Sequence, residues 1–539
     1  MRTFYRSDYP RTLTALLARS SRNPTARFVS DATGTLDRQA FDQCVLRAAA
    51  GLCKAGVGAG TRVALWLPNS AGYLATIFAC ARLGALAVHI NTRFRSAEVG
   101  NLLRRSRAAA LVTDWNFAPV DFPAILASLA IEDRAHLRCV LAIRAPIGVT
   151  ELADVPVLPL ECPAGEAGRD AATAETPCLT FTTSGTTSGP KLVLHDQQAI
   201  AGHAVDVARR IGLDAPDAVL LGAVPFCGTF GNAAAMAAIA GGAHIVCQAQ
   251  FDGTQAAALI REHRVTHLVG GDDMFGRIAA VSGGLSFDSV RFSGFAAFHS
   301  TAASSIAAAE AVGLRPRGLY GSSEVQALFS IAEGNNRLLG GGVPVSAQAR
   351  LAVRDPEIGV PLPAGSSGEL WIDAPSRFVG YLENPVATEQ AVAADGMFRT
   401  GDLGRLDGAG FVYEARLGDA MRLGGFLVSP EEIEAVIQAL PGVAGVQVVA
   451  AARGGDPVPV AFVQPRDDAV VHEGVLRAQC SERLAKFKVP ARIVILDRFP
   501  ITDSPNGPKV QRVKLREMAE RLLCEQPQTS APEIAAPGR

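Results

Sequence analysis

Residues 182–193 read "TTSGTTSGPKLV". Six hydroxyl side chains and two glycines stand ahead of a Pro-Lys pair, in a chain whose residues are 48% apolar. Just upstream lies the apolar run "CLTF" (178–181). A strand that empties into a turn of glycines and hydroxyls can aim several backbone N–H and side-chain O–H groups at one anion. Lys191 adds a point charge. The combination suits a polyphosphate, whose oxygens need many donors in little space. The spacing is not that of a Walker A loop, which needs Ser or Thr after the Gly-Lys pair; here Lys191 is followed by Leu192. Taken alone, the segment reads equally well as a flexible surface turn.

On either side of this loop, short β-branched runs alternate with longer helical patterns. "RVALWL" (62–67) precedes the helical "SAGYLATIFACARLGA"; "LAVHI" (86–90), a polar helix and "ALVT" (110–113) follow. The beat returns after the loop, with "AVLLGAV" (218–224), an alanine-rich helix beyond Phe230, "AHIVCQ" (243–248), "TQAAALIREHRV" and "THLVG" (266–270). Such spacing predicts parallel strands with helices on both faces. Past residue 416 the texture changes. "SPEEIEAVIQAL" (429–440) opens with Ser429 as helix cap, Pro430 in the first turn and Glu432 closing a capping box. The fold class expected is α/β: a large N-terminal domain (1–416) of parallel and mixed sheets flanked by helices, made of two related subdomains plus a smaller β region. A small mobile α+β C-terminal domain (417–525) follows, and 526–539 is expected to be a disordered tail.

Composition narrows the functional classes. The 539 residues exceed what one core organises, and 51 basic against 52 acidic side chains leave a net charge of -1. That balance supplies no general field for nucleic acid. The ten cysteines show no metal-ligand or disulfide spacing and read as buried thiols of a reducing cytoplasm. No signal peptide or transmembrane segment is expected, and nothing argues against a homodimer.

The motifs, taken together, resemble those of the acyl-adenylate-forming superfamily: acyl-CoA synthetases, luciferases and peptide-synthetase adenylation domains. Thr183 to Lys191 matches its phosphate loop, "YGSSE" (320–324) its Tyr-Gly-x-Thr-Glu, "VGYLENP" (379–385) its Gly-Tyr, and "FRTGDLG" (398–404) its Arg-Thr-Gly-Asp. Arg416, Gly424, Gly425 and "SPEEIE" (429–434) follow in register, then "KVP" (488–490) and "NGPKVQR" (506–512). The similarity spans Asn69 to Leu515. It implies an ATP-dependent acyl-CoA synthetase, with Mg2+ as cofactor and ATP, CoA and a small carboxylic acid as substrates.

The resemblance also implies roles. Thr183, Ser184, Gly185, Thr186, Thr187 and Lys191 would grip the β- and γ-phosphates, with Thr187 among the catalytic set. Glu324 would bind Mg2+, and Ser323 would reach the α-phosphate. Tyr320, with Gly318, Leu319 and Gly321 around it, would pack on adenine. Asp402 would accept the ribose hydroxyls beside Arg416, with an ordinary turn aspartate as the alternative that the preceding Arg-Thr-Gly disfavours. Lys509 would be carried by the mobile domain to the carboxylate and α-phosphate, where a solvated lysine is the alternative. Gly424 and Gly425 would let backbone approach a pantetheine arm closely, having no Cβ; a simple turn would also use them.

Several positions depart from the family pattern. Ser188 and Leu192 replace glycines of the loop. Gly418 stands at the hinge where Asp or Lys is usual, and glycine still permits a large backbone rotation. Gly228 replaces a common histidine and Phe295 a glycine, so Phe226, Gly228, Phe230, Gly270, Phe295 and Ala296 are the expected acyl-pocket lining, with core packing the alternative for each phenylalanine. No aspartate in 227–236 is placed to pair an α-ammonium group, which disfavours amino acids. Two other readings stay open: loading of a carrier protein's phosphopantetheine, and a degenerate nucleotide-binding homologue.

Overall fold

A computed structural model describes residues 5, 7–20, 23–117, 119–183, 191–297, 302–417, 421–423, 426–428, 430–453, 456–467, 469–484, 486–504 and 507–524. The β-branched runs become parallel strands because each feeds a helix long enough to cross back over the sheet. Arg62–Trp66 leads through helix Ala71–Arg82 to Leu86–His89, and that strand through helix Ser96–Ser106 to Ala110–Asp114. All three strands are buried almost throughout, as strands covered on both faces must be. Local chemistry starts the helices: Ser70 accepts a hydrogen bond from the Tyr73 N–H and Asp196 from the Ala199 N–H.

Each half of the repeating pattern forms its own sheet. The first has nine strands, with 62–66, 86–89, 110–114 and 139–143 at its centre and 177–182 and 192–196 toward one edge. The second has thirteen. Its strands 219–222, 244–247, 267–271, 292–296 and 316–322 run parallel. The smaller β region does not stand apart: 326–331, 341–344, 410–416, 398–407, 368–373 and 350–354 continue the same sheet antiparallel. The strand Gly380–Tyr381 leaves that region and pairs with 192–196 of the first sheet.

Leu192 is explained by packing. It ends the rung Leu192↔Thr182 and is buried in the core beside Trp66 and Val88, so a methyl-rich side chain is stabilising where the family carries glycine. Beyond 416, Ile433, Ile437 and Leu440 of the helix around Pro430–Gln438 pack on one face of a three-stranded sheet (443–453, 456–465, 492–495). Val449, Val460 and Phe462 of its other face meet Leu515 and Ala519 of helix Arg512–Cys524. Ser429, the expected cap, lies outside the described residues, as does 526–539; Glu432 receives the Lys488 ammonium. Among the described residues no helix is long and apolar enough to cross a membrane.

Candidate active site

Strand 316–322 is parallel to its neighbour 292–296, and its C-terminal end carries Tyr320 and opens into the turn Ser323-Glu324-Val325. Open α/β sheets bind ligands beyond the carboxyl ends of their strands. Along that strand side chains alternate, so Gly318 and Tyr320 share a face while Leu319 packs into the core on Gly294. Gly318 has no room for more: a Cβ would lie 1.9 Å from the Leu339 carbonyl oxygen. A Cβ on Gly321 would meet Ala327 Cα at 2.5 Å.

The Tyr320 ring stands edge-on to Phe411, 5.0 Å between centroids. Its hydroxyl donates to Asp402 Oδ2 at 2.6 Å. Asp402 and Arg416 are register partners on adjacent antiparallel strands, which brings Arg416 Nη1 to 2.6 Å from Asp402 Oδ1. The same Nη1 donates to the Thr400 carbonyl at 2.9 Å. Asp402 is only 5% exposed, and burial pushes its pKa up despite the opposing Arg416 charge and Tyr320 hydroxyl. Burial, then the Asp402 charge, drives Tyr320 well above the usual phenol value. For Arg416, burial works downward but the Asp402 carboxylate outweighs it, so the guanidinium is held charged. A carboxylate offers about four lone-pair sites, so Asp402 can still accept two further hydroxyls.

A second cluster adjoins the first. Tyr381 donates to Glu324 Oε1 at 2.9 Å, and its ring lies 4.6 Å beneath the Lys191 ammonium. Burial and then the Glu324 charge raise the Tyr381 pKa, keeping it a donor. Thr183 and Lys191 close the base of the hydroxyl-rich loop: Thr183 N donates to the Lys191 carbonyl at 3.0 Å, and Lys191 N to Thr183 Oγ1 at 3.1 Å. A two-strand neck therefore brackets residues 184–190, and its lysine lies over the ring of Tyr381, the tyrosine that donates to Glu324. Ser323 receives the Thr229 hydroxyl at 3.2 Å.

The apolar candidates fall into two groups. Phe226 and Phe230 are buried in one core, with Phe226 6.0 Å from Tyr73 and its N–H on Asn69 Oδ1 at 2.8 Å. Phe295 is buried in another, beside Phe275. Gly270 and Phe295 are register partners, with Ala296 next at the strand end. Met274 covers Gly270, where a Cβ would lie 2.9 Å from its sulfur. Met274 and Ala296 also pack on the Phe226 core and so join the two groups. Half-buried Gly228 precedes helix Thr229–Gly241 as its cap.

The family model described as "AMP-binding enzyme" matches residues 16–382, and that of the "AMP-binding enzyme C-terminal domain" matches 432–505. The chain belongs to the AMP-binding enzyme family. It is 31% identical to the 2-succinylbenzoate–CoA ligase of Geobacillus kaustophilus, covering 89% of this chain and 91% of that one. It is 28% identical to a feruloyl-CoA synthase of an Amycolatopsis species over 90% and 95% of the two chains. ATP-bound MatB of Rhodopseudomonas palustris shares its fold, with a TM-score of 0.79 at 24% identity over 95% and 100%. This AMP-binding enzyme is thus an AMP-forming acid–thiol ligase.

For this AMP-binding enzyme, the structure brings together Lys191, Tyr320, Ser323, Glu324, Asp402 and Arg416. Ser184, Gly185, Thr186, Thr187, Ser188, Gly418, Gly424 and Gly425 lie outside the described residues. Lys509 is placed by its backbone, in the hairpin 501–504/507–510 opposite Thr502. Tyr381 is the tyrosine of the Gly-Tyr motif, a signal readable in the sequence. Thr229 and His195, whose Nε2 donates to the Ser323 carbonyl at 2.7 Å, carried none, since both act across long sequence separations.

Proposed function

We propose that this enzyme activates an apolar carboxylic acid in two steps. A carboxylate oxygen attacks the α-phosphorus of ATP and expels pyrophosphate. The thiol of CoA, losing its proton, then attacks the acyl carbon and expels AMP. The observation that carries this reading is the buried Tyr320–Asp402–Arg416 cluster adjoining Glu324 at the ends of parallel strands. Asp402 holds the ribose hydroxyls and Tyr320 offers its ring to adenine. Lys191, with the hydroxyls of 183–187, neutralises the departing phosphates. Catalysis here is positioning and charge neutralisation.

Glu324 fits Mg2+: Tyr381 occupies Oε1, and among the described residues Oε2 faces no donor. One carboxylate suffices, because Mg2+ keeps waters and takes most of its oxygens from phosphates. When bound, the ion screens the triphosphate charge. Lys509 serves the first step only, brought in by rotation of 417–525 about Gly418, after which Gly424-Gly425 line the pantetheine path. Phe226, Gly228, Phe230, Gly270, Phe295 and Ala296 shape the acyl pocket. The described cysteines are free thiols, in keeping with a cytoplasmic enzyme, active as a monomer or homodimer.

The test is acid-dependent ATP–pyrophosphate exchange over fatty, aromatic and alicyclic acids, followed by AMP release with and without CoA. Exchange with at least one acid and release accelerated by CoA are expected. Exchange that CoA does not accelerate would move the acceptor to a carrier protein. Nucleotide binding without exchange for any acid would leave a degenerate nucleotide-binding homologue.

A further inference from the structure

The segment after Glu324 is strained. Gln326 has φ 67° and Leu328 φ 60°, left-handed values that non-glycine residues rarely adopt. Both are buried. Such backbone persists only where its surroundings over-determine it, and it gathers at functional sites. Ser322↔Gln326 is the pair that closes the turn bearing Ser323 and Glu324, and the register slips just before it.

What holds the strain is a buried rail. His195 Nε2 donates to the Ser323 carbonyl at 2.7 Å. The Ala199 carbonyl accepts from Gln326 Nε2 at 2.9 Å. His203 Nε2 donates to the Ala327 carbonyl at 2.8 Å. Residues 195, 199 and 203 are spaced by four. His195 is the penultimate residue of strand Leu192–Asp196, and Ala199 and His203 lie one turn apart on a single face of helix Gln197–Ile211. The Gln326 amide also donates to the Ser376 carbonyl at 3.2 Å. That ties in the loop whose Phe378 N–H meets the Glu324 carbonyl at 2.6 Å and whose Tyr381 holds the Glu324 carboxylate. Burial depresses the His203 pKa to about 4, so the ring stays neutral and keeps the Nε2 proton that it donates.

We infer that Gln326 and His203 are positioning residues: by clamping the backbone at 326 and 327, between Glu324 and Leu328, they aim the Glu324 carboxylate at the metal-bridged phosphates. The inference rests on Glu324 as the Mg2+ residue. Neither side chain touches substrate; each acts through the turn. A role in stability alone would weaken nucleotide binding whether or not metal is present, whereas aiming a carboxylate matters only when the cation is there.

The test measures ATP affinity by calorimetry, with Mg2+ and with EDTA, for the wild type, Gln326→Met, His203→Leu and Glu324→Gln, alongside thermal melting. Glu324→Gln should abolish the tightening that Mg2+ gives. Gln326→Met and His203→Leu should each lose about tenfold of that tightening while keeping wild-type affinity in EDTA. If Glu324→Gln loses the tightening but both rail variants retain it, the rail is structural and the inference is overturned. Equal weakening with and without metal overturns it in the same way. A wild type indifferent to Mg2+ removes the Glu324 assignment itself, and the inference with it. The two rail variants remove different hydrogen bonds, so one that does not fold leaves the other to decide.

Discussion

Asp402 is a buried carboxylate that burial pushes toward its protonated form. Its oxygens are held by Arg416 and Tyr320, which offset part of what burying the ionised group costs. Removing it should therefore act twice. Asp402→Ala loses the acceptor for the ribose hydroxyls and leaves Arg416 without its carboxylate. Hydrogen bonds to charged groups contribute about 1.5–3 kcal/mol, so ATP affinity should fall roughly 10- to 100-fold. Asp402→Asn, which keeps shape and one acceptor, should lie between. The dependence of exchange on acid concentration should be unchanged in both. Titration of ATP against each variant checks this, and unaltered affinity in Asp402→Ala would remove Asp402 from the nucleotide site.

At the scale of elements, the parts legible in the sequence are those that local pattern dictates. "RVALWL", "LAVHI" and "THLVG" become the strands Arg62–Trp66, Leu86–His89 and His267–Gly271 because continuous apolar runs suit doubly covered strands. The candidate nucleotide residues are legible as motifs that follow one another in order, whose roles the proposed experiments test. What escaped depends on pairing between distant segments. Gly380–Tyr381 is two residues long, yet its pairing Tyr381↔Val193 sets the ring under Lys191. The rail of His195 and His203 escaped for the same reason, since its acceptors lie over 120 residues away. The hairpin 501–504/507–510 belongs to this scale too, because its strand carries Lys509. Lys509→Ala should slow acyl-adenylate formation about 100- to 1000-fold, the loss typical for a group aimed at developing charge. Thioester formation from a supplied acyl-adenylate should continue at near the wild-type rate. The paired half-reactions decide it, and equal loss in both would deny the lysine its step-specific role.

At the scale of the whole molecule, buried histidines contribute to the response to acid. Burial depresses His89 to about 3 and His203 to about 4. His89 Nδ1 lies 2.5 Å from the Tyr73 hydroxyl and the ring stacks on Phe181, and burial is the cause that lowers its pKa. Both rings are therefore neutral in the folded chain at a pH where the unfolded chain, titrating near 6.5, already binds protons. The stability they contribute is present above 6.5 and is lost as pH falls toward the folded values. Asp206 and Asp402, raised by burial, act with the opposite sign: their share is present below the ordinary carboxylate value and is lost as pH rises through the folded one. A single-residue comparison separates these contributions. Between pH 7.5 and 5, each depressed histidine should cost about 2 kcal/mol of unfolding free energy. His89→Gln removes one titrating ring while leaving an acceptor for Tyr73. Urea unfolding at the two pH values should show that variant losing about 2 kcal/mol less than the wild type, whatever its stability at pH 7.5. An identical loss in both proteins would mean that His89 does not titrate differently on folding.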